Sequence, residues 1–118
     1  MSRVISDNDA SAYSKATGLP DKDAREVLMT LKPELRKRVL LAARSKARRD
    51  DLLHDPLEDD PTTRTLVRQA AAKADRAVTD QGLGRCHSVW KEQARILWKD
   101  HKIRWYSPAE MNPFVLFD

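Results

Sequence analysis

The stretch that divides this chain is KPELRKRVLLAARSKARRDDLLHDPLEDDP, residues 32–61 of 118. Residues 32–49 carry eight basic residues against one acidic residue, whereas residues 50–60 carry six acidic residues and no lysine or arginine. So abrupt a reversal of charge predicts a structural boundary, and the basic part suggests an anionic partner. Asp60 and Pro61 then predict the start of a helix, because aspartate caps a helix N-terminus and proline suits its first turn.

Three short helices are predicted before this boundary. Ser6 resembles a cap for a helix over residues 7–17, and Gly18 is a natural left-handed stop. A second short helix follows, with alanine, valine and leucine at helical spacing. Pro33 disfavours helix at the residue before it, so a third helix is predicted to start there. The apolar pattern continues in phase across Pro33, and one long kinked helix is the alternative.

An antiparallel helical hairpin is predicted after the boundary. Apolar residues at helical spacing predict a helix from Asp60 to about residue 80 and another over residues 85–101. Two glycines bracket Leu83 between them, and so short a connection makes neighbouring helices antiparallel. Residues 103–106 alternate in polarity as a short extended segment does, and residues 114–117 form an apolar tail that must dock.

The predicted fold is therefore all-α. It comprises a three-helix, helix-turn-helix-like unit (residues 1–49), an acidic linker (50–60), and a helical hairpin with a short extended segment and an apolar tail (61–118). Hydrophobic content of 41% with 34% charged residues is ordinary for a globular protein of this length. We expect the two units to pack together as one compact domain.

Several kinds of chemistry have no support in the sequence. A single cysteine excludes an internal disulfide and a multi-cysteine zinc site. There is no glycine-rich phosphate loop, no glycine-flanked serine and no histidine pair at zinc spacing. Apolar runs are too short to span a membrane, and no signal peptide is recognisable near the start. We therefore predict a cytoplasmic protein that is not an enzyme, has no cofactor or metal, and has no membrane partner.

The aromatic residues of the C-terminal half favour two interpretations. Trp90 and Trp105 follow the pattern of core residues, whereas Trp98 fits that face less well. With Phe114 and Phe117 in the tail, Trp98 predicts a surface for a protein partner, and a homodimer is left open. The same aromatics alternate with lysines and arginines, as in proteins that stack bases and hold phosphates, so RNA binding is a further alternative.

The N-terminal third resembles the three-helix DNA-binding head of lac-repressor-type regulators. Residues 12–20 (AYSKATGLP) resemble that family's first helix and its glycine turn. Residues 23–28 (DAREVL) resemble the end of its recognition helix, and residues 33–43 its third helix. The resemblance covers about residues 10–47. This sequence departs from the family in a short second loop, in Pro20, and in a recognition helix that carries three acidic residues.

The resemblance implies that Lys22 and Arg25 face base edges and that Arg36, Lys37, Arg38 and Arg44 face phosphates. The basic segment continues with Lys46, Arg48 and Arg49. A solvated outer face is the alternative for each of these residues, and the acidic linker can fold back on them. The predicted function is a small DNA-binding regulatory or accessory protein that uses a basic helical face on the backbone of duplex DNA. The alternative is a helical protein-interaction module with no nucleic-acid role.

Overall fold

The structure is a computed structural model that describes residues 5–45 and 52–117, and it confirms the all-α fold. No β-strand occurs within these ranges. The helices are α1 (Asp7–Thr17), α2 (Asp21–Thr30), α3 (Pro33–Ser45), α4 (Pro61–Ala77), α5 (Arg85–His101) and α6 (Pro108–Met111), with one 3-10 turn at Pro56–Asp59.

The first helices begin and end where their capping residues predict. The Ser6 hydroxyl accepts a hydrogen bond from the Asp9 amide (3.1 Å), and Gly18 ends α1 at a φ of 84°. Leu31 is extended, with a ψ of 145°, so α2 and α3 are separate helices. The alternative of one long kinked helix is therefore wrong, because proline at position 33 pushes the backbone before it out of the helical region.

Two apolar cores lie side by side. The first unites α1, α2 and α3 around Tyr13 and Leu28, and it also contains Leu53 and Met111. The second lies between α4 and α5 and contains Trp105. Because the chain after α5 contributes Trp105 to one core and Met111 to the other, it ties the two helical units together.

The acidic segment is part of the packed structure. Asp55 is buried, and Nη1 of Arg38 donates to both of its carboxylate oxygens (2.9 and 2.8 Å). The backbone amides of Leu57 (3.0 Å) and Tyr106 (2.9 Å) donate to the same carboxylate. One side chain therefore joins α3, the 3-10 turn and the segment after α5.

A second buried polar contact also joins the acidic segment to the chain after α5. The Asn112 side chain accepts from the Leu53 amide (3.0 Å) and donates to the Leu53 carbonyl (2.8 Å), as one strand of a sheet would. Nearby, the Trp105 indole donates to the Glu58 carboxylate (2.9 Å). The described part of the segment predicted as a linker therefore connects the two cores through polar contacts.

The hairpin differs from the prediction at one end of α4. We expected this helix to reach about residue 80, but it ends at Ala77 because Val78 is extended. Ala77 is consequently exposed. Arg85 at the start of α5 donates to the carbonyls of Asp75 (3.0 Å) and Val78 (3.3 Å), which satisfies the end of α4.

The apolar tail docks on both units. Phe114 packs edge-on against Tyr13 of α1, with ring centroids 6.2 Å apart. Phe117 packs edge-on against Trp90 of α5 at 5.2 Å, and its carbonyl accepts from Nε2 of His87 (3.0 Å). Within the described ranges, no helix combines the length and apolar character that a membrane span requires.

Candidate nucleic-acid interface

The arginines of the predicted DNA-binding face serve largely to hold the N-terminal unit together. Arg36 shows this most clearly, because its guanidinium donates to the carbonyls of Leu28 (2.9 Å) and Leu31 (3.3 Å). These carbonyls lie at the end of α2, where helical partners run out. Arg36 therefore acts as a side-chain cap between α2 and α3.

Three more of the predicted arginines form ion pairs within the chain. Arg25 contacts Asp7 (2.7 Å) and also donates to a backbone carbonyl of the N-terminal segment. Arg44 contacts Asp9 (2.6 Å), while Arg38 is held by the buried carboxylate described above. Each of these arginines is therefore paired with a carboxylate that offsets its charge.

The remaining predicted cations are either exposed lysines or residues outside the described ranges. Lys22 and Lys37 are exposed and form no ion pair within the described part of the chain, although both sequence neighbours of Lys22 are aspartates. Lys46, Arg48 and Arg49 lie outside the described residues. Of the described members of this set, the two lysines are therefore without an ion pair, whereas the four arginines are engaged within the chain.

A basic stripe lies instead along the outer face of α5. Lys91, Arg95, Trp98 and Lys102 are all exposed, and their spacing of four, three and four residues places them on one side of the helix. We call these four residues the α5 stripe. At 1.5 Å per residue the stripe is about 16 Å long. Residues 61–117 as a whole carry ten basic and five acidic residues, so this half of the chain is the more positive.

One acidic side chain accompanies the stripe closely. Glu92 accepts two hydrogen bonds from Arg95 (2.9 and 2.6 Å), and this contact lowers the pKa of Glu92 and raises the pKa of Arg95. Lys91 and Lys102 form no ion pair within the described residues, and the same holds for Lys99 beside the stripe. Asp100 on the same helix is also exposed, and it and Glu92 interact electrostatically with Arg95 and Lys99, so the charge of α5 is partly compensated.

Trp98 is the one tryptophan in the described ranges with a largely exposed ring, at 48% of its full accessibility. The Lys102 ammonium lies 5.4 Å from the ring centroid, and the Arg104 guanidinium lies 5.0 Å from it. Both distances are within the range of a cation–π contact. An aromatic face and two cations therefore meet at the C-terminal end of the stripe.

Arg104 also borders an open cleft of about 800 Å³. The opposite wall is the turn between α2 and α3, and Tyr106 lies on the same side as Arg104. The Arg38 guanidinium lies 5.1 Å from the centre of the Tyr106 ring and helps to fix it. The other lining residues are Thr30, Leu31, Lys32, Pro33, Glu34, Leu35 and Glu110.

The residues predicted for a protein interface are placed separately. Trp98 lies on the α5 stripe, whereas Phe114 and Phe117 lie in the docked tail. Cys86 is half-buried beside the exposed His87. Among residues 5–45 and 52–117, no cluster of three His, Cys, Asp or Glu side chains has the geometry to hold a metal ion.

Comparison with known proteins finds no match for this chain among family models, curated proteins or solved structures.

Proposed function

We propose that this protein binds DNA as a small regulatory or accessory protein and contacts the phosphate backbone through the outer face of α5. The observation that carries the proposal is a group of solvent-facing cations on α5 and in the segment directly after it. Lys91, Lys99, Lys102 and Arg104 reach solvent and form no close ion pair in the described part of the chain. A phosphate can therefore pair with each of them without breaking an ion pair of the folded protein.

The proposal retains the predicted contact with the phosphate backbone but moves it away from α3. Arg36 and Arg38 of α3 are committed to carbonyls and a buried carboxylate. Removing such a partner leaves a buried group unsatisfied, at a cost of about 1–3 kcal/mol each. Contacts from α5 carry no comparable cost.

Salt dependence gives the first test. Four phosphate contacts release about four counterions, so the logarithm of the affinity for duplex DNA should fall with a slope of about −3.6 against the logarithm of the salt concentration. Between about 50 and 200 mM salt this predicts a loss of roughly a hundredfold in affinity. Fluorescence anisotropy with a labelled duplex measures it, and a protein that binds no DNA at the lower salt concentration would refute the proposal.

A matched pair of double variants locates the interface. Lys91→Glu/Lys99→Glu reverses two charges on α5, where Arg95 lies within reach of both new carboxylates and helps to keep the helix folded. Lys22→Glu/Lys37→Glu makes the same change in net charge on the N-terminal unit, again at exposed positions. The α5 double variant should lose far more affinity for DNA than the N-terminal double variant. A larger loss in the N-terminal pair would move the interface back to the three-helix unit.

A second candidate function is a protein-interaction module, whose partner is another protein or a second copy of this chain. Leu83 at the hairpin tip and Leu116 in the tail are 88% and 91% exposed, and a partner that covered them would bury apolar surface. Sedimentation of the wild type and of Leu83→Asp/Leu116→Asp tests it for self-association. A monomer at every concentration in both proteins would remove the support for a homodimer.

A further inference from the structure

The cleft beside Arg104 differs in character from the α5 stripe. Its two cations, Lys32 and Arg104, are balanced by Glu34 and Glu110, so the cleft has little net charge. Tyr106, Thr30 and three apolar residues complete its lining. A phosphate gains little in such a place, whereas a flat heteroaromatic base can pack on the Tyr106 ring and donate its amino hydrogens to a carboxylate.

Arg104 connects this cleft to the basic face. Its guanidinium lies over the exposed ring of Trp98, and the same side chain borders the cleft. A strand whose phosphates follow α5 therefore meets an aromatic face at Trp98 and then a recess of little net charge beyond it. Phosphate contacts followed by aromatic platforms characterise proteins that bind unpaired strands.

Duplex DNA cannot use these features, because its bases are stacked and paired inside the helix. We infer that the preferred ligand is single-stranded nucleic acid, with one base stacked on Trp98, a neighbouring base in the cleft, and the phosphates held by the α5 cations. This inference rests on the proposed function and specifies the form of its ligand. When a base stacks on the Trp98 ring, it displaces Lys102 and Arg104 from the ring, and these two cations then contact the phosphates.

The decisive comparison uses three probes with matched phosphates. They are a single strand of about 20 nucleotides, the duplex that contains it, and a strand of equal length made of abasic sites. Fluorescence anisotropy at one salt concentration should give the tightest binding to the intact strand, with the duplex and the abasic strand at least about tenfold weaker. Equal binding to the intact and abasic strands would overturn the inference and leave the proposed function in place. Failure of all three probes to bind would overturn both.

Substitution at Trp98 separates stacking from charge. Trp98→Ala should weaken binding to the intact strand by about tenfold or more, because stacking on an aromatic side chain strengthens binding of each unpaired base by roughly that factor. The same variant should leave binding to the abasic strand unchanged. Leu41→Ala removes another exposed apolar side chain, on α3, and serves as the control. If the two variants behave alike, Trp98 does not stack a base.

Photochemical crosslinking tests the cleft without any substitution. A single strand containing 4-thiothymidine should crosslink to peptides that contain Tyr106 or residues 30–35, and the site is read by mass spectrometry of the wild-type protein. Crosslinks confined to other segments would overturn the assignment of the cleft. A duplex with the same modified base serves as the control and should give few of these products.

Discussion

Asp55 should contribute more to stability than any other acidic residue described in the segment before α4. Its carboxylate is 1% exposed and receives hydrogen bonds from Arg38, Leu57 and Tyr106. Asp55→Ala removes all of these acceptors at once. The substitution leaves the Arg38 guanidinium, whose side chain is 22% exposed, without its carboxylate partner. The backbone amides of Leu57 and Tyr106 also lose their acceptor.

The expected loss follows from those groups. Breaking a buried ion pair by removing one partner costs about 3–5 kcal/mol. Arg38 keeps a hydrogen bond to the Arg104 carbonyl (3.2 Å) and its contact with the Tyr106 ring, which offsets part of that loss. The unpaired amides add to it, so we expect the free energy of unfolding to fall by about 3–5 kcal/mol in all. For a chain of this size that lowers Tm by roughly 12–20 °C.

Urea denaturation followed by far-UV circular dichroism measures the loss, and Asp59→Ala is the matched control. Asp59 is in the same segment and pairs with His54, but both side chains are more than half exposed, at 57% and 58%. Such a surface pair contributes about 0–1 kcal/mol. If Asp55→Ala lost no more free energy of unfolding than Asp59→Ala, the connection between the two cores would not depend on the Asp55 carboxylate.

Three further substitutions test other contacts. The Tyr13 hydroxyl is buried without a protein hydrogen-bond partner, and burial raises its pKa. Tyr13→Phe should therefore keep or gain about 1 kcal/mol in urea denaturation. The variant should also lose less stability than the wild type above the ordinary phenol pKa of 10.0, because a raised pKa in the folded state makes stability fall as pH rises. A hydrogen bond from the Thr63 amide (2.9 Å) lowers the pKa of Asp60, so its contribution is present above the ordinary value of 3.8 and disappears as pH falls through the lower folded value. Asp60→Asn keeps a capping oxygen without the charge, and thermal melts should show the variant below the wild type at neutral pH and level with it in strong acid. Phe117→Ala removes the ring packed on Trp90 and should cost about 1–2 kcal/mol in urea denaturation, whereas removing a neighbouring side chain by Leu116→Ala should change little.

Local patterns were sufficient to predict most of the helices. Residues 7–17 and 85–101 were predicted as helices with the bounds that the structure has. Ser6 and Gly18 mark the two ends of the first helix, and Gly84 marks the start of the second. Pro33 likewise marks the start of α3. These signals act within one turn of the chain, so a single sequence contains them.

Long-range polar contacts could not be predicted in the same way. Asp55 and Tyr106 lie 51 residues apart, and Leu53 and Asn112 lie 59 residues apart. Proline, acidic residues and few leucines made this segment resemble a linker, because nothing nearby in sequence indicates a partner for a buried carboxylate. The aspartate before Pro56 is a local cap signal, and the structure does place it as the N-cap of the 3-10 turn.

Hydrogen bonds and ion pairs within the chain also engage many of the basic residues of the N-terminal unit. Residues 5–45 contain eight basic residues, but four arginines among them bind carbonyls or carboxylates of the chain itself. Arginine suits that role because its planar group offers five donors, whereas lysine is a flexible and strongly hydrated point charge that stays in water. Three of the four cations proposed to contact phosphates on or beside α5 are lysines. The slope of affinity against salt should therefore report about four charges. A slope of about −7, which corresponds to eight charges, would mean that the N-terminal arginines also contact phosphates when nucleic acid binds.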